Sequence, residues 1–307
     1  MTPISKTILY FGNERLATGL GTAAPALRGL IAAGYNVAAV VVAQNPQSKS
    51  RNKRSLEVAD IAAEHGIPVI APQRLSESVA ELKNYRADIG VLAAYGKIVP
   101  QAILDIFPFG IINIHPSLLP LHRGSTPIES VILEGAAETG VSLMRLAPQM
   151  DAGPVYVQDH LLLRGDETKQ VLSDQLSQLG ADLLIAHLPE ILDGSMQPIA
   201  QDESRATTDP QMSKSDAILD FQKPAERLER EIRAYAGWPR SRCTIGGQGV
   251  IITAAHVEPG EGTPGTIHLA GKQIGLQTSA GVLIINSLIP AGRKEMTGEA
   301  YLAGYKP

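Results

Sequence analysis

Hydrophobic residues gather into short unbroken runs at Ile8–Phe11, Val37–Val42, Pro68–Ile70, Ile89–Ala94 and Ile111–Ile114. Between these runs the apolar positions recur at helical spacing, over about Ala23–Ala33, Leu56–His65 and Gln101–Ile106. Unbroken apolar runs suit strands buried on both faces, and their alternation with helices is βαβ repetition. The pattern predicts an α/β domain with a Rossmann-like parallel sheet, whose ligands sit beyond the carboxyl ends of the strands. Polar motifs directly after strands therefore carry the most weight.

Further along, Leu172, Leu176, Leu179 and Leu183 form a helical core stripe that runs from Lys169 to about Leu192 and stops at Asp193-Gly194. The stretch Met196–Asp209 is polar and without period, which reads as a connecting linker. Beyond it lie a helix at Pro224–Tyr235 and five β-rich runs, at Cys243–Ile245, Val250–Ala255, Gly265–Leu269, Gln273–Gln277 and Val282–Ser287, divided by Gly- and Pro-containing turns. Five short strands in so small a segment predict a β-barrel of OB-like type, with a sandwich as the alternative that the same spacing fits. The expected division is a larger α/β domain over 1–192, a linker over 193–210 and a smaller barrel domain over 211–307, and 307 residues suit two cores.

Composition narrows the classes. Cys243 is the sole cysteine, so neither an internal disulfide nor a cysteine cluster for zinc can form, and its plain reading is a small buried hydrophobe. The chain enters the strand-like Thr7–Phe11 without a leader pattern and has no apolar stretch of spanning length, so a cytoplasmic protein with no membrane partner is expected. A net charge of −4 argues against a general basic coat, while leaving room for local patches that serve a polyanion.

The densest polar signal is Asn113-Ile114-His115-Pro116-Ser117-Leu118-Leu119-Pro120, directly after a strand. Alternation along the strand puts Asn113 and His115 on one face. There the amide can donate to a developing oxyanion, and the imidazole can donate or move a proton near neutral pH. Asp151, in Gln149-Met150-Asp151-Ala152-Gly153, can orient an imidazole or accept a proton. Taken singly, His115 also reads as a satisfied structural histidine and Asp151 as a turn residue. None of the seven histidines stands at short helical spacing with a partner that suggests a metal site, so no metal is expected. Gly12, Gly19 and Gly21 lack the spacing of a dinucleotide-binding turn.

Asn113-x-His115-x-Ser117-Leu118-Leu119-Pro120, followed by Arg123-Gly124 and then Asp151-x-Gly153, resembles the folate-dependent formyltransferases. The resemblance implies 10-formyltetrahydrofolate as donor substrate and no metal. It implies Asn113, His115 and Asp151 as the catalytic trio, and Ser117, Leu118, Leu119 and Pro120 as lining of the folate site. The stretch Ala94-Tyr95-Gly96-Lys97-Ile98-Val99-Pro100 resembles the family's segment after its fourth strand, which adds Ala94, Tyr95, Gly96 and Ile98 to that site. Beyond residue 205, Ala206-Thr207-Thr208, Met212-Ser213-Lys214, Ile218–Phe221, Trp238-Pro239 and Gly292–Met296 resemble the tRNA-directed members. Initiator methionyl-tRNA is then the implied acceptor, the barrel a tRNA-contacting domain, and a monomer the expected state.

Two basic features fit an RNA partner. Lys49, Arg51, Lys53 and Arg54 lie in one loop without an acidic residue among them, and Lys223, Arg227 and Arg230 form one stripe on the second-domain helix. The resemblance points the loop toward the acceptor end of tRNA. For the helix, Glu226 and Glu229 stand four residues before Arg230 and Arg233, so surface ion pairs explain the same charges. Two positions depart from the family pattern: Gly12-Asn13-Glu14-Arg15, where relatives more often carry Gly-Thr or Gly-Ser and a following Phe, and Gly237, commonly a proline. Two rival functions share parts of these features. One is a sugar-nucleotide N-formyltransferase with the same donor; the other is a non-catalytic RNA-binding protein on a retained scaffold.

Overall fold

The apolar runs become the strands of one mixed sheet. The computed structural model describes residues 6–43 and 56–305. They separate into two compact units, one of residues 1–127, 138–162 and 172–210, the other of residues 128–137, 163–171 and 211–307.

In the first unit β1 (Thr7–Gly12), β2 (Asn36–Val41), β3 (Val69–Ile70), β4 (Ile89–Ala93) and β5 (Ile111–His115) pair in parallel, in the order β3-β2-β1-β4-β5. A two-residue strand, β6 (Arg123–Gly124), follows, and then β7 (Glu138–Arg145) and β8 (Val155–Leu162) extend the sheet antiparallel beyond β5. Local pattern does not predict β7 and β8. Most of β8 is half-buried or exposed, as an edge strand is, and this dilutes its apolar run.

Helices α1 (Pro25–Ala32), α2 (Glu57–Glu64), α3 (Val79–Asn84) and α4 (Gln101–Leu104) lie between the parallel strands. Next come α5 (Pro127–Glu134) and α6 (Lys169–Asp193), the latter carrying the expected leucine stripe, with Leu172, Leu176 and Leu183 buried. On one face of the sheet Leu9, Phe11, Val41, Leu92 and Ile111 form a core with Leu82, Ile103 and Phe107. Phe11 meets Tyr95 and Phe107 edge-on at centroid distances of 6.0 and 5.9 Å, which adds about 0.5–1.5 kcal/mol per pair beyond burial. Gly180 of α6 packs on β5, where a Cβ would overlap Ile114 and push away the strand that carries Asn113 and His115.

The expected linker is instead a bonded strap. Ile199 exchanges backbone hydrogen bonds with Val155, and β9 (Thr208–Asp209) pairs in parallel with β6. A polar segment without period still becomes ordered when backbone groups elsewhere in the fold need its N–H and C=O groups, which local pattern does not reveal.

In the second unit α7 (Ala225–Ala234) precedes β10 (Arg242–Ile245), β11 (Gln248–Glu258), β12 (Ile267–Ala270), β13 (Gln273–Gln277), β14 (Val282–Pro290), β15 (Met296–Thr297) and α8 (Gly298–Gly304). The strands are antiparallel in the order β10-β11-β14-β13-β12, with β15 against β14. Register shifts at Ile252/Ala254 and Ala254/Ala255 bend β11, so the sheet curls into a half-barrel, the form taken by the expected OB-like domain. Leu228 and Ile232 of α7 pack into its core with Ile252, Leu276, Ile285 and Tyr301.

Candidate active site

β5 ends the run of parallel strands, and its carboxyl end carries Asn113 and His115, both buried. The side-chain amide of Asn113 has no hydrogen-bond partner among the described residues. An amide in that condition can donate to a ligand.

Around His115 the bonding is directional. Its Nε2 lies 3.0 Å from the carbonyl oxygen of His122, which can only accept, so the proton sits on Nε2. The other nitrogen, Nδ1, faces Oδ1 of Asp151 at 3.7 Å. That separation is within ion-pair range for a protonated ring and too long for a hydrogen bond. Oδ2 of Asp151 accepts the Gly124 N–H at 2.9 Å. Asp151 adopts φ 50°, and two residues on, a Cβ at Gly153 would overlap the Arg145 carbonyl. The Asp-x-Gly spacing thus follows from a backbone crossing too close for any side chain. The sequence trio converges, Asp151 arriving from a loop that β7 and β8 carry back to β5.

The turn after β5 is built from within. Ser117 is fully buried and donates to the Leu121 carbonyl at 2.7 Å. Ser142 of β7 donates to the Ser117 carbonyl at 2.6 Å and accepts the Leu119 N–H at 3.0 Å, while Gln158 of β8 donates to Leu119 and to Ser142. The Ser117 hydroxyl is therefore engaged in holding the turn. Leu118 and Pro120 remain half-exposed and Leu119 is buried.

After β4, Ala94 has φ 51° and Gly96 φ 74°, and the two turn the chain at the sheet's carboxyl edge. Tyr95 sends its ring into the core, where burial raises its phenol above the ordinary value. Gly96 and Ile98 are exposed, Ile98 with 86% of its surface open to solvent.

The Asn13-Glu14 stretch has a structural role in this chain. Glu14 is buried with φ 53°, and its carboxylate accepts the Ala26 and Leu27 N–H groups at 2.9 and 2.8 Å, at the start of α1. Burial raises its pKa above the ordinary value, against the two backbone hydrogen bonds and Arg28.

The basic features stand differently. Lys49, Arg51, Lys53 and Arg54 lie outside the described residues. On α7, Arg227 reaches Glu231 at 3.3 Å and donates to the Leu133 carbonyl, and Lys223 reaches the same buried Glu231 at 2.7 Å. Glu231 thus counters the charge on two members of the expected stripe. Arg230 is half-buried against Gly135, and Arg233 pairs with Glu229 at 2.7 Å, one of the two ion pairs anticipated from sequence. Among the described residues no three His, Cys, Asp or Glu side chains gather as a metal site. No described helix is long and apolar enough to cross a membrane. Burial pushes the Cys243 thiol up to about 12.

Sequence reading missed His122, Gln201 and Asp209, which bond to the trio or to the residue that meets it. No local signal marks them, since their partners lie dozens of residues away.

Known proteins share both sequence and fold with this chain. The family model for formyl transferase matches residues 20–188, and that for the formyl transferase C-terminal domain matches residues 211–306. A methionyl-tRNA formyltransferase of Chloroflexus aggregans is 40% identical over 304 residues, covering 97% of this chain and 96% of its own. One from Roseiflexus castenholzii is 35% identical, covering 99% and 97%. Among solved structures, an N-formyltransferase from Helicobacter canadensis, crystallised with folinic acid and dTDP-3-aminofucose, shares the fold with a TM-score of 0.67. It is 17% identical and covers 95% of this chain and 100% of its own.

Proposed function

This chain belongs to the formyl transferase family, and from that membership we infer that it transfers the formyl group of 10-formyltetrahydrofolate to the α-amine of methionyl-tRNA, giving formylmethionyl-tRNA for translation initiation. The observation that carries the choice of acceptor is the 40% identity with a methionyl-tRNA formyltransferase across almost the full length of both chains, C-terminal domain included. The sugar-directed relative is far more distant in sequence and supports the fold alone.

The residues divide the chemistry among them. The neutral amine attacks the formyl carbon, and the carbonyl oxygen becomes a tetrahedral oxyanion. Asn113, its amide free of other partners among the described residues, donates to that oxyanion and binds it more tightly than the flat carbonyl. The proton shed by the attacking nitrogen passes to Nδ1 of His115, since Nε2 is already engaged with His122. Asp151 faces the imidazolium so formed. The proton then goes to N10 of the folate as the carbon–N10 bond breaks, leaving the formamide and tetrahydrofolate.

Leu118, Leu119, Pro120, Ala94, Gly96 and Ile98 supply the folate contacts in this reading, with Ser117 and Tyr95 supporting them from beneath. Initiator specificity, a cytoplasmic location and a monomeric state belong to the same proposal. Arg51 with its basic neighbours is its preferred phosphate contact, Arg230 a secondary one and Arg227 a weaker one because of Glu231.

The test is formyl transfer from 10-formyltetrahydrofolate to purified methionyl-tRNA, with Asn113→Ala and a 4-amino-4-deoxy nucleotide sugar in parallel. Transfer to tRNA that vanishes in Asn113→Ala is expected. Transfer to the sugar alone would replace the acceptor, and tRNA binding without transfer would replace the enzyme by an RNA-binding protein.

A further inference from the structure

The strap Ile199–Asp209 is bonded to the Asp151 loop and to His122, whose carbonyl meets His115, and the hydrogen-bonding capacity of one amide on it is fully used. The Nε2 of Gln201 donates to the carbonyls of Asp151 and Gly153, both at 2.7 Å. Its Oε1 accepts from Nε and Nη2 of Arg123 at 3.1 and 2.8 Å. Two donated and two accepted bonds exhaust what a primary amide can make. Arg123 in turn forks onto Glu203, at 2.9 and 2.8 Å. The chain running on from the Asp151 carboxylate is therefore pinned at two carbonyls by one side chain, itself gripped by a guanidinium.

The other half of the pair is held from the far end of the strap. His122, at φ 57°, is fixed by its N–H to the Thr207 hydroxyl at 2.8 Å and by Nδ1 to Oδ1 of Asp209 at 3.2 Å. Arg123 N–H donates to Thr207, and Thr207 N–H to Pro120. The carbonyl so placed is the one that takes the Nε2 proton of His115. Its position decides which nitrogen of the catalytic ring carries the proton, and hence which is free for the substrate.

We propose that Gln201 and the His122–Asp209 pair are positioning residues for formyl transfer: Gln201 sets the Asp151 loop, and Asp209 with Thr207 sets the His122 carbonyl that fixes the His115 tautomer. This rests on the reading of Asn113, His115 and Asp151 as the catalytic trio. Misplacement of a reacting group by about 1 Å costs about 100-fold in rate, so the strap acts on kcat while the folate and tRNA surfaces stay in place.

Gln201→Glu is the sharpest variant, because it keeps shape and the Arg123 grip yet replaces the two donated bonds with carboxylate–carbonyl repulsion. The proposal expects kcat to fall about 10- to 100-fold, with KM for both substrates within about threefold and an undiminished folded fraction. Wild-type kcat in folded Gln201→Glu would overturn it, as would a loss that merely tracks unfolding. His122→Ala and His122→Asn are compared by kinetics and by ¹⁵N shifts of the His115 ring. Ala should lower kcat and mix the tautomers. Asn tolerates positive φ and can donate to Asp209, and should restore both. If Gln201→Glu does not fold, the His122 variants decide alone, and a single Nε2–H tautomer with full kcat in His122→Ala would end the proposal. Asn113→Ala and His115→Gln run alongside. Activity surviving in those two would remove the catalytic reading, whereas their inactivity beside a normal Gln201→Glu would remove only the strap.

Discussion

Oδ1 of Asp151 stands 3.7 Å from Nδ1 of His115 while its partner oxygen is bound to the Gly124 N–H at 2.9 Å. The carboxylate is thus oriented by the backbone before it meets the ring, and only a protonated ring gains from it fully. Asp151→Asn can still accept the Gly124 N–H but offers no charge to the imidazolium formed as the amine loses its proton. Its kcat should drop about 10²- to 10⁴-fold, the range of a lost acid–base contribution, with the KM for 10-formyltetrahydrofolate little changed. Steady-state kinetics on methionyl-tRNA checks this, and a rise in KM at constant kcat would count against it.

Gly153→Ala should act on the same loop by a different route. The added methyl overlaps the Arg145 carbonyl, so the backbone must retreat and carry Asp151 with it. We expect kcat to fall by about 10-fold or more, together with a lower thermal midpoint, in contrast to the stable but slow Asp151→Asn. Kinetics and thermal melts on the two variants side by side separate these outcomes.

Glu14 makes a stability prediction with a defined sign. Its folded pKa is raised above the ordinary 4.5 by burial, so at intermediate pH the folded chain holds a proton that the unfolded chain has lost. The stability Glu14 contributes is complete below the unfolded value and is lost as pH rises through the raised folded value. Glu14→Gln does not titrate, so the wild-type advantage over it should be larger at pH 4 than at pH 8. Urea unfolding of both proteins across that range provides the measurement. An advantage that grows with pH would contradict the buried, raised carboxyl.

Lys169 is wholly buried and lies 3.3 Å from the buried Glu129, donating also to the Trp238 carbonyl at 2.8 Å. Burial lowers its pKa from the ordinary value, and Glu129 opposes that shift. Removing one member of a buried pair strands the other, at a cost of about 3–5 kcal/mol. Glu129→Gln should therefore lower the denaturation midpoint strongly, and a double replacement Glu129→Leu with Lys169→Met should recover much of the loss. A mild Glu129→Gln would show that the pair is open to water.

Arg51→Ala and Lys53→Ala should weaken methionyl-tRNA binding and flatten its salt dependence, the log–log slope falling by about 0.7–0.9 for each phosphate that is no longer neutralised. Filter binding across salt concentrations would check this, and an unchanged slope would move the phosphate-binding surface elsewhere. The Arg227→Ala change should alter the slope less, because Glu231 already neutralises that side chain.

By itself the sequence determined the parallel core strands, the amphipathic α7 and the shared face of Asn113 and His115. These depend on local period, which the chain carries wherever burial is one-sided or complete. The motif also grouped Asp151 with them, and the fold brings it within 3.7 Å of His115, although it lies far along the chain. Tertiary structure alone decided that β7 and β8 bring it there, that the segment read as a linker is the strap holding Gln201 and Asp209, and that Glu14 caps α1. It also brought Lys223, which precedes α7, onto Glu231 eight residues along. In each case a polar group found its partner through the fold rather than through a repeating pattern. Hydrogen bonds and ion pairs formed on folding leave no periodic trace, because any donor can meet any acceptor once the backbone has brought them together.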